Sequence, residues 1–388
     1  MVAAAHAPSF AIASVVLEKI GEIQITGRGL NKTAAKIGGE MAREREARTE
    51  AYFNQPLPRR RTEPMSPIRL ACVSIDGGRM QTREEGCGLG VHDPRWRETK
   101  NALFLRMTSN CFASDPHPDL PSCFADRKRM KTLLAGAGEQ QGADGEEAGG
   151  ARESAEEDWR PKRLFRTCLS SLCDSDAFGR MMEAEADARG FFHAQKKAFV
   201  SDGLPYNWTI QQRHFPGFTP ILDFVHAVER LYEAARCLND DEDGRWEDYV
   251  RWARRCWDGG VAEVIAELQE RQAEIGDPPR DCEDTDRRKI LAGAIRYFNN
   301  NASRMKYPEY RRNGLPTTSA LMESFVKELD ARVKGTEKFW NDGASGEAIL
   351  QLRAAALCDD DRLTLFLHNR PGHPFHPNVP AHGPGPAA

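Results

Sequence analysis

The chain contains no C-x-x-C pair, although it carries ten cysteines, at Cys72, Cys87, Cys111, Cys123, Cys168, Cys173, Cys237, Cys256, Cys282 and Cys358. Zinc ribbons and thioredoxin-type redox motifs need such pairs, so neither is expected. No window approaches the ~18 consecutive apolar residues of a membrane-spanning helix, and no membrane partner is expected. The apolar stretch 10–17 is short, follows no basic segment and runs into Glu18-Lys19, unlike a secretory leader. Free thiols in a reducing cytoplasm are therefore expected. There is no internal repeat. At 388 residues, with 40% hydrophobic and 29% charged residues, the chain is long enough for two or three structural units and a substantial core.

The net charge is only −4, which at first argues against a nucleic-acid partner. Its distribution reverses that view. Residues 139–158 hold eight acids and one base, a net of −7, which leaves +3 for the rest of the chain.

Residues 1–65 read as a helical, polar segment broken at Gly38-Gly39 and ended by prolines around Arg59-Arg60-Arg61. Leu70, Cys72, Val73 and Ile75 form a short apolar run that predicts a buried strand stopping at a turn, Asp76-Gly77-Gly78. A second strand is expected over 102–107, completing a small antiparallel meander in 66–134. Residues 135–162 offer almost nothing to bury and predict a disordered acidic insertion. From 163 to 226 the pattern predicts a helix over 171–189, a strand ending at Ser201-Asp202-Gly203, and another over 218–225 that carries Asp223. Residues 227–312 read as all helix. In 313–370, Thr318 or Ser319 is a good N-cap for a helix whose apolar face is Met322, Phe325, Val326, Leu329 and Val333. Residues 371–388 predict a disordered tail.

Three acids stand out. Asp76 and Asp202 each end an apolar run before glycine, and Glu323 lies on an amphipathic helix one turn before Lys327. A single Asp-Gly is ordinarily just a turn. Carboxylates converging from three elements, however, are what a site for hard Mg²⁺ ions requires.

The strings Ser74-Ile75-Asp76-Gly77-Gly78-Arg79, Ser201-Asp202-Gly203 with Trp208 and His214-Phe215-Pro216, Ile221-Leu222-Asp223-Phe224-Val225-His226, Gly314-Leu315-Pro316 with Ser319 and Glu323, and the 332–340 run ending at Phe339-Trp340 carry a resemblance. Together they resemble bacterial insertion-sequence transposases of the ISKra group, which are similar to Mutator-like transposases. The resemblance spans roughly 20–370. It implies an α/β fold with an RNase H-like mixed sheet flanked by helices, interrupted by an all-α insertion before the helix with the last acid. It implies a DDE triad of Asp76, Asp202 and Glu323 holding two Mg²⁺ ions, with Mn²⁺ as substitute, and Asp223 with His226 in support. The implied activity is DNA strand cleavage and strand transfer by a nucleoid-associated homo-oligomer on DNA. The rivals are an RNase H-like nuclease without strand transfer and a truncated or domesticated DNA-binding derivative. The chain departs from the family pattern in its acidic stretch and in Thr318-Ser319-Ala320 before the Glu.

Residues 304–338 hold eight bases against five acids. Such a pattern is usually a solvated helical face. With Glu323 inside it, phosphate contact is expected from among Arg304, Lys306, Arg311, Arg312, Lys327, Arg332, Lys334 and Lys338. Trp208 and Trp340 are expected as core anchors.

Overall fold

The computed structural model describes residues 1–83, 95–130, 159–335, 338–341 and 343–370. The acidic stretch 139–158 and the tail 371–388 lie outside the described residues.

Three helices open the chain: α1 (Val2–His6), α2 (Phe10–Gly21) and α3 (Gly27–Phe53). Ser9 Oγ and Thr26 Oγ1 cap α2 and α3, each accepting a backbone N–H at 3.1 Å. The expected break at Gly38-Gly39 is absent, and α3 runs straight through it. Glycine serves there as a crossing point. A Cβ on Gly38 would run into the Ala348 carbonyl of α12 (Gly343–Ala356), so its absence lets the two backbones touch.

The sheet contains β1 (Leu70–Thr82), β2 (Arg95–Met107), β3 (Arg163–Ser171), β4 (Lys196–Ser201), β5 (Thr219–Leu222) and the short β6 (Phe339–Trp340). Its order is β3-β2-β1-β4-β5, with β6 pairing the far end of β1. Strands β1, β2 and β3 form an antiparallel meander, while β4 is parallel to β1 and β5 to β4. The chain is thus an α/β protein with a mixed sheet flanked by helices. Val73, Leu103, Phe104, Phe199, Val200 and Ile221 fill its centre, all fully buried.

β1 does not stop at Asp76-Gly77-Gly78 as expected but continues for six residues past Asp76. Gly78 stays in the strand because a Cβ there would meet Thr99 Oγ1 of β2 at 2.6 Å. The β1–β4 ladder ends at Ile75↔Ser201, and β6 joins β1 only at Gln81. Between them the β1 edge is open, and this gap is where the acids gather.

The helices are α4 (Ser175–Ala188), α5 (Pro205–His214), α6 (Phe224–Leu238), α7 (Glu242–Trp257), α8 (Val261–Ile275), α9 (Arg287–Asn301), α10 (Tyr307–Arg312), α11 (Ala320–Val333), α12 and α13 (Arg362–Asn369). An aromatic knot of Phe224, Trp257 and Tyr307 ties α6, α7 and α10 together. Trp159 joins it edge-on at 6.3 Å and is buried. This corrects the expectation of disorder for the described end of 135–162, since Trp159 supplies a large apolar side chain that does pack. Trp208 and Trp340 are buried anchors as expected. All nine cysteines among the described residues are free thiols, and no helix among them is long and apolar enough to cross a membrane.

Candidate active site

Asp76 sits within β1 rather than in a turn, beside the open edge. Its Oδ1 accepts the N–H of Gly77, at 2.7 Å. Asp202 follows β4 directly and is fixed by the start of α5. Ser201 Oγ, the Leu204 N–H and Asn207 Nδ2 all donate to its Oδ1, at 3.1, 3.1 and 2.9 Å. Among the described residues, none of these bonds goes to Oδ2. Tyr297 of α9 donates to the Asp202 carbonyl at 2.8 Å. Gly203, at φ 95°, makes the turn that no β-carbon would tolerate.

Asp223 is not on a strand as expected. It is the N-cap of α6, fully buried, accepting the Val225 N–H at 3.1 Å. The Ser319 N–H donates to the same Oδ1 at 3.1 Å, and the Ser319 hydroxyl donates to Oδ2. One carboxylate therefore ties the start of α6 to the start of α11. Ser319 caps α11 by position, but its hydroxyl is spent on Asp223 rather than on its own helix.

His226, one turn into α6, stands with Nε2 3.8 Å from Asp223 and Nδ1 3.0 Å from Glu229. Burial alone would lower its pKa. The Glu229 hydrogen bond and the Asp223, Glu229 and Asp76 charges outweigh this and push it up to about 10. The ring is an imidazolium at neutral pH. Glu229 was missed in the sequence, although its i+3 spacing from His226 on a helix is a readable signal.

Glu323 lies in the first turn of α11, and its carboxylate has no hydrogen bond or ion pair among the described residues. Burial and the Asp223 charge raise its pKa to about 7, against the pull of His226 and Lys327. Asp76 rises to about 6, chiefly through burial, with Asp202 and Asp223 adding repulsion. Asp223 is raised as well, mainly by its burial. Asp76, Asp223, Glu229 and Glu323 thus all interact electrostatically with the charged His226, and Asp202 adds its charge beside Asp76.

Tyr206, Glu98 and Lys100 flank Asp76 and were not singled out from the sequence. Lys100 is buried, pairs with Glu98 at 3.0 Å and lies over the Tyr206 ring. The Tyr206 hydroxyl reaches Glu98 at 3.4 Å, and burial together with the Glu98, Asp202 and Asp76 charges holds it protonated.

Among the described residues, no three His, Cys, Asp or Glu side chains stand close enough to share one metal ion. Mg²⁺ does not require that. It is commonly held through one or two carboxylates, with waters and substrate phosphates completing its octahedron. Hard oxygen donors in excess, with Asp76, Asp223 and Glu323 raised in pKa chiefly by burial and, for Asp76 and Glu323, further by neighbouring carboxylate charge, fit such a cation.

The bases expected to touch phosphate divide into three sets. Lys306, Arg312 and Lys327 are exposed. Arg304 is half-buried, lies over Trp208 at 4.5 Å and donates to the Asn300 carbonyl. Lys334 pairs with Asp330 at 3.5 Å, and Lys338 donates to the Ala331 carbonyl at 2.8 Å. Two expectations are corrected. Arg311 is fully buried, paired with Asp115 and stacked on Trp257 at 4.1 Å. Arg332 is buried between Phe10 and Trp340, donates to the Ala4 carbonyl, and is lowered to about 10 by burial and by Arg353. Neither can reach a phosphate. Both are core guanidiniums whose flat faces pack on aromatic rings.

No protein-family model matches the chain, and a search of curated proteins finds no match.

Proposed function

We propose that the chain is a DDE transposase of the ISKra group with an RNase H-like core, cutting DNA at insertion-sequence ends and joining it to a target. The observation that carries the proposal is the meeting of acids at the open β1 edge. Asp76 and Asp202 come from neighbouring parallel strands at the point where their ladder stops. Glu323 and Asp223 enter from the starts of α11 and α6, held together by the Ser319 contacts. The mixed sheet, and a long helical stretch lying between β5 and the Glu-bearing helix, support the same reading.

In this reading Asp76, Asp202 and Glu323 would be the residues that hold Mg²⁺. The two ions, when bound, stabilise the attacking and departing oxygens of an in-line displacement at phosphorus. The rest falls to the chain. Asn207 and the α5 N-terminus aim Asp202. Asp223 sets the position of α11 and therefore of Glu323. His226, held between Asp223 and Glu229, offsets part of the carboxylate repulsion. Lys306, Arg312 and Lys327 supply sequence-independent attraction for the DNA backbone.

A strand-transfer assay with pre-cut ends tests the proposal, the ends being taken from inverted repeats that flank the coding sequence. Mg²⁺-dependent joining to a target plasmid is the expected result. Cutting without joining would favour the nuclease reading. Absence of both would overturn the proposal.

A further inference from the structure

A buried ammonium lies next to the acid cluster without belonging to it. Lys100 is opposite Gly77 in the β1–β2 ladder, one residue along from Asp76. The alternation of the strands puts it on one face with Gly77, Arg79 and Glu98, whereas Asp76 looks to the other. The Lys100 side chain is 9% exposed, yet the carboxylate it pairs with at 3.0 Å, Glu98, is 53% exposed. The Tyr206 ring covers the ammonium at 5.5 Å, and its hydroxyl also reaches Glu98, at 3.4 Å. A Cβ on Gly77 would stand 3.8 Å from both the Glu98 carboxylate and that hydroxyl, so the group gathers over bare backbone. Arg79, opposite Glu98, is exposed and has no ion pair among the described residues. A buried charge must keep a partner. Here the partner is a side chain half in water, which another anion can replace.

We propose that Lys100, Tyr206 and Arg79 form a subsite for one phosphate of the DNA strand, flanking the phosphate that is cut, and that Glu98 holds its place until DNA arrives. The identity of the ligand rests on the DNA-cutting reading above. Three features choose a phosphodiester. Apart from Glu98 the subsite offers donors: an ammonium, a guanidinium and a phenol that burial and the Glu98, Asp202 and Asp76 charges keep protonated. A phosphodiester carries one negative charge, so its exchange for Glu98 leaves the ammonium paired and returns a carboxylate to water. The position fits as well. Between the Ile75↔Ser201 pair and β6 at Gln81, no strand covers this edge of β1. A DNA strand crossing that gap passes Asp76 on one side and Lys100 on the other.

Fluorescence anisotropy of a labelled duplex oligonucleotide, in EDTA so that nothing is cut, tests the subsite. Lys100→Met should weaken binding about tenfold and flatten the slope of log affinity against log salt by about 0.9, the share of one phosphate. Lys100→Arg should restore most of the affinity. Glu98→Gln should tighten binding about threefold, and should change nothing in a Lys100→Met chain. A pair that served only the fold would behave otherwise, since losing either partner would then leave binding unchanged or weaken it. Glu98 stays hydrated once Lys100 is gone, so Lys100→Met should fold; Glu98→Gln, at a half-exposed position, reports on the subsite even if it does not. Inorganic phosphate at constant ionic strength should leave the oligonucleotide bound. Unchanged binding by Lys100→Met, weaker binding by Glu98→Gln, or inorganic phosphate abolishing the difference between wild type and Lys100→Met would each overturn the proposal. Wild type that cuts DNA while Lys100→Met binds it unchanged overturns the subsite alone. Wild type that binds through Lys100 but never cuts overturns the transposase reading alone, and wild type that binds no DNA overturns both.

Discussion

Removing metal should make this protein prefer acid. Asp76 is raised from 3.8 to about 6 and Glu323 from 4.5 to about 7. When a folded-state pKa lies above the unfolded one, the folded chain binds more protons in the interval. Stability then falls as pH rises from about 4 to about 7. At 1.36 kcal/mol per pH unit, each acid costs roughly 3 kcal/mol at pH 7.5 relative to pH 4. The sum is less than double because both acids feel Asp223 and His226. His226, raised from 6.5 to about 10, adds stability that is complete below pH 6.5 and is lost on the way to pH 10, so it reinforces the trend. Other acids oppose it at low pH; Glu183 and Asp115, for example, are lowered by their hydrogen-bond partners despite burial. The difference between wild type and Asp76→Asn isolates the site. In EDTA the variant should melt several degrees above wild type at pH 7.5 and level with it near pH 4. Adding Mg²⁺ at pH 7.5 should raise wild type and leave the variant nearly unmoved. A variant less stable than wild type at pH 7.5, or a gap independent of pH, would refute the reasoning.

Three further outcomes are expected. Arg311→Leu should cost about 3 kcal/mol by removing a fully buried guanidinium that pairs with half-buried Asp115 and packs on Trp257, whereas Arg312→Ala, at the exposed next position, should stay within ~0.5 kcal/mol; urea melts decide. Gly38→Leu should force α3 off α12 and lower the melting temperature sharply, while Gly39→Leu, which faces only the end of the Arg43 side chain, should not. Replacing Lys306, Arg312 and Lys327 together by Ala should weaken binding to any DNA duplex and flatten the slope of log affinity against log salt, by about 0.9 for each phosphate that is no longer neutralised.

Much of the sheet was legible because apolar runs mark it. The runs 70–75 and 198–200 are β1 and β4, and the acid after each run lies where a site could form. The length of β1 was not legible. Gly77-Gly78 reads as a turn in sequence, yet Gly78 is a strand residue because Thr99 presses against it from β2. Gly38 misleads in the same way: what looks like a helix break is a helix crossing, and only the partner Ala348, far along the chain, reveals it. Strand β3 was missed because Arg163 and Arg166 interrupt its apolar pattern, and Arg166 reaches out of the sheet to Glu328. Asp223 reads as part of a strand over 218–225, but β5 stops at Leu222 and α6 begins at Phe224, which leaves Asp223 as the helix cap. Charge patterning failed for Arg311 and Arg332. A guanidinium on an aromatic face is part of the core, and two of the rings concerned, Trp257 and Phe10, lie far from their arginines in sequence.

The acids themselves are the final test. Wild-type protein should nick supercoiled plasmid in Mg²⁺ and not in EDTA. Asp76→Asn should lose at least ~100-fold in rate while binding the same DNA as well or better, because an amide oxygen is a poor ligand for a hard cation and one repulsive charge is gone. Asp202→Asn and Glu323→Gln should follow it. Glu328→Gln, on the same helix as Glu323 but committed to Arg166 at 3.0 Å, should keep near-normal activity. Undiminished cutting by Asp76→Asn, or cutting by wild type that needs no divalent ion, would contradict a catalytic role for the acid cluster.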